Sequence, residues 1–547
     1  MDASTENSLR YTYTGADKQN DGFLPLWKDE IEEKEKNKPA GKRTLRRIDR
    51  PAFLLLMVLY LLQGVPVGLA FGSVPFILKS KLTYVQVGIF SFASYPYSLK
   101  LLWSPIIDAL YLPKVGRRRS WIIPIQTVSG LTLLFLGLKI DRLLAEPELH
   151  LKTITTYFFL LVFFCASQDI AVDGWALTCL SPDSLSFAST AQTIGMNTGY
   201  FSSFTIFLAL SSPDFANKYL RTIPQETGLF TLGHYLIFWG WMYLIVTGIL
   251  LFVPEDPPHL ARHQIAGGSG EKSYWKPSNM KTTWHSLKKV YLSMYEVLKL
   301  RNIQTLVVIL LLAKLGFQVN DSATNLKLLE KGLSKEDLSI TVLVDFPFEM
   351  IFGYYAGTWS SGKSPLVPWL LGFAGRLMAA MCAQFLLYFF PASGKVGSFY
   401  FLLILLQHLF SSFMSTIQFV SLCAFFNNIA DPSIGGTYMT TLNTLSNYGG
   451  TWPKFFIFYI IDKLTISVCL RSNTNDRESN IYMITSEHLK NQCEKDGGHV
   501  RIIRDGFYYA NILCIFCGVV IFFWVRRKAI YLQNIPKSSW RVRKNNT

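Results

Sequence analysis

Residues 51–78 read PAFLLLMVLYLLQGVPVGLAFGSVPFIL, an apolar run that is long enough to cross a bilayer as a helix. The segment before this run carries five basic side chains, which are Lys42, Arg43, Arg46, Arg47 and Arg50. Lys and Arg accumulate on the cytosolic side of membrane proteins. The pattern therefore predicts a first membrane-spanning helix that starts from a cytosolic amino terminus.

Eleven further apolar runs follow, and a polar stretch divides all the runs into two sets of six. The first set continues near residues 84–112, 120–139, 153–180, 186–211 and 232–254, and the second lies near 301–326, 338–358, 365–390, 397–427, 434–463 and 506–526. A span needs about 20 mostly apolar residues. The sequence thus predicts an all-α integral membrane protein with about 12 transmembrane helices in two six-helix bundles, which is the arrangement of the major facilitator fold.

The predicted organisation follows from the composition between and around these runs. The parts are a disordered cytosolic tail (1–50), an amino-terminal bundle (51–254), a cytosolic linker (255–300), a carboxyl-terminal bundle (301–526) with a lumenal loop (464–505), and a cytosolic tail (527–547). The linker is assigned from its Pro, Gly and Lys content. Because the number of helices is even, both termini are predicted on the same side of the membrane.

The composition excludes most soluble classes of protein. Hydrophobic residues make up 50% of the chain and charged residues 16%, against about a quarter charged in ordinary soluble domains. The net charge of +16 does not indicate nucleic-acid binding, because basic residues lie in short segments beside apolar runs, such as 116–119 and 524–528. No nucleotide-binding loop, zinc-protease motif or Gly-x-Ser-x-Gly motif occurs. We therefore predict a secondary transporter rather than an enzyme, with no cofactor and no metal.

The connection between helices 2 and 3 combines an acid with a basic loop. Asp108 stands at a helix end, and Arg117 and Arg118 follow in the loop. Such a pair can latch one conformation until movement of the two halves breaks it. The alternative is that the arginines stay solvated and only anchor the topology.

Helix 4 carries two carboxylates, Asp169 and Asp173, which are spaced i, i+4 and so share one helical face. Acidic side chains at membrane depth are costly and are therefore candidates for function. We predict that they hold the basic residues of the cavity in the empty state and release them when an anionic cargo arrives. The alternative is that they pair with Lys100, Lys314 or Arg376 only to hold helices together.

The predicted cargo site is a central cavity lined by helices 1, 4, 7 and 10, with contributions from helices 5 and 11. Basic and amide side chains inside the spans are its candidate contacts. They are Lys100, Lys314, Arg376, Gln63, Gln168, Asn443 and Asn447. Asp321 is a further candidate for charge pairing. Arg376 has the alternative of snorkelling to a helix end, and His408, alone in an aromatic helix, is predicted to be a packing residue.

Eight cysteines divide into two groups. Cys469 and Cys493 lie in one polar loop, and they can form a disulfide if that loop faces an oxidising lumen. The other six fall in apolar runs, where a thiol behaves as a small hydrophobic group, and they are Cys165, Cys179, Cys382, Cys423, Cys514 and Cys517.

Several long motifs carry a family resemblance. They lie at residues 61–66, 102–108, 116–121, 168–175 and 435–453. Together they resemble the acetyl-coenzyme A transporter family, and muropeptide permeases share a looser version of them. The resemblance covers nearly all of the chain from Pro51 onward.

This resemblance implies a multi-pass protein of the endoplasmic reticulum membrane that carries acetyl-coenzyme A (acetyl-CoA) from the cytosol to the lumen. Lumenal acetyltransferases would then use the cargo on proteins and glycans. Coenzyme A as a counter-substrate, and a homodimer, are further expectations. Two alternatives stay open: a carrier of another anionic conjugate, such as a muropeptide, and a membrane-embedded acyltransferase with Asp169 and His408 as its acid and base.

Overall fold

The computed structural model describes residues 46–541 except 113–114, 182–183, 185–186, 254–279, 361–363, 392–395, 431–434, 472–479, 485–488, 490–491, 494 and 496–498. The predicted amino-terminal tail therefore lies almost wholly outside the described residues, and so does 255–279 of the predicted linker. The predicted carboxyl-terminal tail is described as far as residue 541. It begins inside the last helix, which continues to Gln533, and a 3₁₀ turn follows at Lys537–Trp540.

The amino-terminal half contains six long helical segments in the described part of the chain. They are α1 (Arg47–Lys79), α2 (84–109), α3 (Arg119–Gly137), α4 (Pro147–Cys179), α5 (187–210) and α6 (Leu232–Leu250). The carboxyl-terminal half contains six more, which are α7 (Arg301–Glu330), α8 (Lys335–Ser360), α9 (Leu366–Tyr388), α10 (Ser398–Ile429), α11 (435–464) and α12 (Gly506–Gln533). In the described residues, six long helical segments in each half match the predicted arrangement of two six-helix bundles.

Nine of the described helices are long and apolar enough to cross a membrane by length and composition. The other three segments, α2, α5 and α11, are richer in Ser, Thr, Asn or Pro, and they lie where the halves meet. Segment α2 contacts α11, and the end of α5 contacts α8. Their lower hydropathy is consistent with side chains that face protein and cavity rather than lipid.

Several segments are interrupted inside the bilayer. A π-helical stretch replaces α-helix at Leu69–Ser73 in α1 and at Ser202–Ile206 in α5. Short 3₁₀ stretches occur at Lys100–Leu102 in α2 and at Leu315–Phe317 in α7. Such interruptions often mark functional sites in membrane helices.

Small residues allow α1 and α5 to approach closely. A Cβ atom added at Gly199 would lie 2.1 Å from the carbonyl oxygen of Leu61, and one added at Gly64 would lie 2.3 Å from that of Met196. Any side chain at these positions would force the backbones apart. The two helices are thus fixed to each other as a tight pair.

Two faces of the molecule are distinguished by the ends of the helices. The terminal face carries the start of α1 and the end of α12, and the distal face carries the end of α1 and the start of α12. On the distal face the Tyr84 hydroxyl donates to Glu330 at 2.9 Å, and Lys79 lies 3.8 Å from the same carboxylate. Tyr84 also stacks on Phe458, with ring centroids 6.1 Å apart. These contacts join the two halves at the distal face.

The predicted linker contains a helix that the sequence analysis did not anticipate, Met280–Lys299. It buries Leu287, Met294 and Val297 on one face, and the Tyr291 hydroxyl donates to the carbonyl oxygen of Leu102 at 2.6 Å. The Pro and Gly residues of the preceding segment dominated the sequence interpretation and concealed this helical period.

The predicted loop at 464–505 contains a small antiparallel sheet. Its strands are β1 (Ile466–Arg471), β2 (Asn480–Ile484) and β3 (His499–Arg504), in the order β2-β1-β3. Cys469 on β1 is bonded to Cys493, with the two Cα atoms 5.9 Å apart. The sequence analysis proposed this bond but treated the segment as a loop, because its strands are short and its composition is polar.

We expect a non-reducing peptide map of protein from its native membrane to give one linked peptide containing Cys469 and Cys493. Closing a loop of this length stabilises a fold by about 3 kcal/mol on the chain-entropy estimate. Amides of β1 should therefore exchange faster with solvent in a Cys493→Ser variant. Replacing the exposed Cys382 of α9 with Ser is the control, and it should leave β1 exchange unchanged. Recovery of both loop cysteines as free thiols would contradict the prediction.

A charged cavity between the two halves

A cavity of about 520 Å³ lies between the two halves at membrane depth. We call it the main cavity. Its lining comes from α1, α2 and α7 to α11, and α4 contributes none of its described lining residues. The expected contribution of α4 is therefore replaced by α2, which carries Tyr97 and Ser98 to the cavity wall.

Lys314 lines this cavity at the interruption of α7. Its ammonium group donates to the carbonyl oxygen of Ser446 at 3.0 Å. No carboxylate lies within ion-pair distance of it in the described part of the chain. The charge of Lys314 is therefore available to a ligand.

Arg376 also lines the cavity, and it is held on three sides. It pairs with Asp321 of α7, donates to the Gln418 side-chain oxygen at 2.8 Å, and lies 3.8 Å from the centre of the Phe317 ring. Only 8% of its surface is exposed. This burial between α7, α9 and α10 differs from the alternative of snorkelling to a helix end.

The third cation of the main cavity is Lys454, which the sequence analysis missed. Its ammonium group lies 5.5 Å from the centre of the Phe71 ring, with no carboxylate at ion-pair distance among the described residues. Lys454 directly follows Pro453 and precedes an apolar run. A lysine inside a predicted span was the signal that could have found it.

The candidate amides divide between the cavity and the helix interfaces. Asn447 lines the cavity, whereas Asn443, one turn earlier in α11, is absent from its lining. Gln63 and Gln168 are at most 1% exposed, and the Gln168 amide donates to the carbonyl oxygen of Leu59 at 3.4 Å. Both glutamines are buried and absent from the lining of the main cavity, so cargo in that cavity cannot reach them in this conformation.

The two carboxylates of α4 do not hold the cations of the cavity. Asp169 pairs with Lys100 of α2 and accepts from the Tyr97 hydroxyl at 3.4 Å. Asp173 accepts from the Tyr60 hydroxyl at 2.7 Å and from Gln192 at 3.0 Å. Lys100 is also absent from the lining of the main cavity. Of the cations that the sequence analysis named, Lys100 is paired with Asp169 as anticipated. Arg376 is instead paired with Asp321, so that part of the hypothesis was wrong.

The basic loop after α2 makes the contacts expected of a latch. Arg118 pairs with the Asp108 carboxylate at 2.6 Å, and Arg117 donates to the Asp108 carbonyl oxygen at 2.9 Å. A Cβ atom at Gly174 would lie 2.2 Å from the Arg118 guanidinium carbon, so this arginine rests directly on the α4 backbone. A role in gating remains a prediction.

A side recess of about 330 Å³ adjoins the main cavity and contains His408. The His408 ring lies 3.5 Å from Asp345 of α8, and Glu349 stands one turn further along α8. The sequence analysis predicted a packing role for His408 and did not identify the two acids. Their position beside the cavity depends on how α8 and α10 face each other, which the sequence does not display.

The sequence profile described as "Acetyl-coenzyme A transporter 1" matches residues 52–366 and 363–542. The chain belongs to this family. Among its relatives, the "Uncharacterized membrane protein YBR220C" of Saccharomyces cerevisiae is 45% identical over 91% of this chain and 98% of that protein. The "Uncharacterized protein C21B10.09" of Schizosaccharomyces pombe is 39% identical over 92% of this chain and 91% of that protein.

The chain is also similar to part of a bacterial permease and, in its fold, to solved structures of transporters. The Escherichia coli anhydromuropeptide permease is 26% identical over 28% of this chain and 30% of that protein. A bacterial homologue of the lysosomal transporter Spinster, solved in an inward-facing and unoccupied conformation, gives a TM-score of 0.58 at 13% identity, covering 90% of this chain and 100% of that one. The nucleoside transporter NupG gives a TM-score of 0.57 at 10% identity, covering 88% of this chain and 99% of that one. The solved structures show the shared fold. The match to a transporter family shows a secondary transporter rather than an enzyme, as the sequence predicted.

Proposed function

We propose that this transporter carries acetyl-CoA through the main cavity, from the cytosol into the lumen of the endoplasmic reticulum, by alternating access. The cargo would supply acetylation of lumenal proteins and glycans, and coenzyme A is the natural candidate for return transport. The description of the family supports the substrate. The compartment, the direction and a homodimer rest on the sequence resemblance. The cytosolic termini rest on the basic segment before the first span and on the even number of helices.

The charge of the main cavity is the observation that carries this proposal. Lys314, Arg376 and Lys454 face a space that also contains Asp321 and Glu349. Charged side chains at membrane depth are expensive and rare unless a function retains them. Because Asp321 already compensates the charge of Arg376, the two lysines provide most of the attraction for an anion, and Glu349 is the one further carboxylate in the described lining that opposes them. The phosphate groups of coenzyme A match that demand.

The Arg376–Asp321 pair suggests how cargo can bias the two conformations. A ligand shifts a conformational equilibrium only if it makes different contacts in the two states. Phosphate binding to Arg376 would compete with Asp321 and loosen the link between α7 and α9. This pair thus takes the role that the sequence hypothesis gave to Asp169 and Asp173.

Purified protein in liposomes provides the test. The cargo carries one label on its acetyl group and a second on its adenine. We expect both labels to enter the vesicles at equal rates, because a carrier moves the intact molecule. Entry of the acetyl label without the adenine label would contradict the proposal, and so would the absence of uptake in vesicles that contain folded protein. Vesicles without protein are the control, and they measure the passive entry of the two labels.

The second candidate cargo is another anionic conjugate of the muropeptide type, which the similarity to the Escherichia coli permease favours. Unlabelled compounds added to the same assay separate the two. Acetyl-CoA should compete with the labelled cargo at much lower concentration than an anhydromuropeptide. The reverse order would favour the second candidate.

A further inference from the structure

A second cavity of about 290 Å³ continues from the main cavity toward the distal face. We call it the distal pocket. Phe71, Asp321 and Lys454 line both cavities, so the two share a wall. Further lining residues come from the distal ends of their helices, such as Phe76 of α1 and Phe458 of α11.

The distal pocket differs from the main cavity in its walls. Aromatic rings from both halves surround it, and they are Phe71, Phe76, Phe90, Tyr200, Phe204 and Phe458. Lys314 and Arg376 line the main cavity and not the distal pocket, which leaves Lys454 as the one Lys or Arg shared by the described linings of these two cavities. Asp345 also faces the distal pocket, where it would repel a phosphate. The site is therefore cationic in its main part and aromatic at its distal end.

The distal end of this pocket is closed by packed rings. Phe76 stacks on Phe204 with ring centroids 5.4 Å apart, and both side chains are at most 7% exposed. The Tyr84–Phe458 stack, at 6.1 Å, lies at the distal contact between the halves. A ligand that enters from the main cavity therefore meets these packed rings at the distal end, and they limit the length of ligand that the pocket can hold.

The dimensions suit a long ligand with two different ends. Leu326 in the distal pocket follows Lys314 by twelve residues of α7, which corresponds to about 18 Å along a helix. A ligand that spans this distance can place its anionic end at Lys314 and its apolar end among the rings. Lys454 and His408 also line the distal pocket beside the rings, and either can donate a hydrogen bond to a thioester carbonyl oxygen.

We infer that the distal pocket binds the acyl thioester end of the cargo and limits its length, with Phe76 and Phe204 as the residues that set the limit. The inference rests on the proposed function, because it assigns one end of that cargo to one part of the site. Its ligand class is a short acyl thioester of coenzyme A. A longer acyl chain would collide with the stacked pair.

The test compares uptake of acetyl-, butyryl- and hexanoyl-CoA, each labelled on adenine, into liposomes. The parent protein should take up hexanoyl-CoA at least tenfold more slowly than acetyl-CoA. In Phe76→Ala the ratio of hexanoyl to acetyl uptake should rise about tenfold. Phe204→Leu, a milder change in the same stack, should raise the ratio in the same direction if the first variant fails to fold. The control is Phe516→Ala, because Phe516 is 67% exposed on α12.

The outcomes separate this inference from the proposed function. If the parent takes up acetyl-CoA but the ratio stays at its parental value in both folded variants of the stack, the distal pocket does not select the acyl chain. Equal uptake of all three compounds by the parent would also overturn the inference. If the parent takes up none of the three, the proposed function itself fails, and the inference fails with it.

Discussion

Replacing Asp169 with Asn should remove most of the folded protein from detergent extracts, whereas Lys100→Met combined with Asp169→Asn should restore it. The Asp169 side chain is fully buried and that of Lys100 is 19% exposed. Loss of one partner leaves a buried charge without compensation, which costs about 3 to 5 kcal/mol. The double variant removes both charges. The yield of monodisperse protein and its thermal unfolding midpoint are the measurements.

A matched control stands one helical turn away. Asp173 accepts hydrogen bonds from Tyr60 and Gln192, and no described Lys or Arg side chain lies at ion-pair distance from it. In Asp173→Asn the side-chain oxygen can still accept from Tyr60 and Gln192, and no cation loses an ion-pair partner. We therefore expect a smaller loss of stability than for Asp169→Asn. Equal losses of stability in the two variants would show that Asp169 does not stabilise the fold through its pair with Lys100.

Replacing Lys314 with Gln should weaken the apparent affinity for acetyl-CoA tenfold or more. Its ammonium group faces the main cavity, and no carboxylate lies at ion-pair distance from it among the described residues. A hydrogen bond to a charged group contributes about 1.5 to 3 kcal/mol. The concentration dependence of uptake into liposomes gives the affinity. The Ser446 carbonyl oxygen can still accept from the Gln amide, so the fold should persist.

Lys289→Gln is the matched control for this charge change. Lys289 lies on the exposed side of the linker helix, outside the linings described for the cavities. We expect its uptake curve to match that of the parent. If Lys314→Gln also matches the parent at equal amounts of protein in the membrane, Lys314 has only a structural role and the phosphate site lies elsewhere.

The architecture could be predicted from the sequence because apolar runs of sufficient length have few other uses. The sheet at β1–β3 could not, since short polar strands between two spans carry no comparable signal. The cations inside the spans were visible as basic residues in apolar runs. Lys454 was overlooked beside a conspicuous polar stretch.

The pairing of charges could not be predicted. Asp169, Asp173 and Asp321 are equivalent as acids in apolar helices, and nothing in their spacing says which cation each one faces. The packing of the helices determines which charges pair. Segment α4 faces Lys100 of α2, while α7 faces Arg376 of α9. Periodicity gives the face of one helix, but the rotation of neighbouring helices relative to each other is set by all their side chains together.

The interruptions in α1, α2, α5 and α7 bear on how the protein deforms. A helix is least stiff against bending where its regular hydrogen-bond ladder is broken, so each segment can flex at its interruption. The distal contact at Tyr84 and Glu330 can then separate while the Ser98–Thr451 contact near the middle of α2 and α11 stays closed. If the helices bend at these interruptions, part of the contact between the halves stays packed during the movement. Less apolar surface is then exposed in each transport cycle, which would lower the activation barrier.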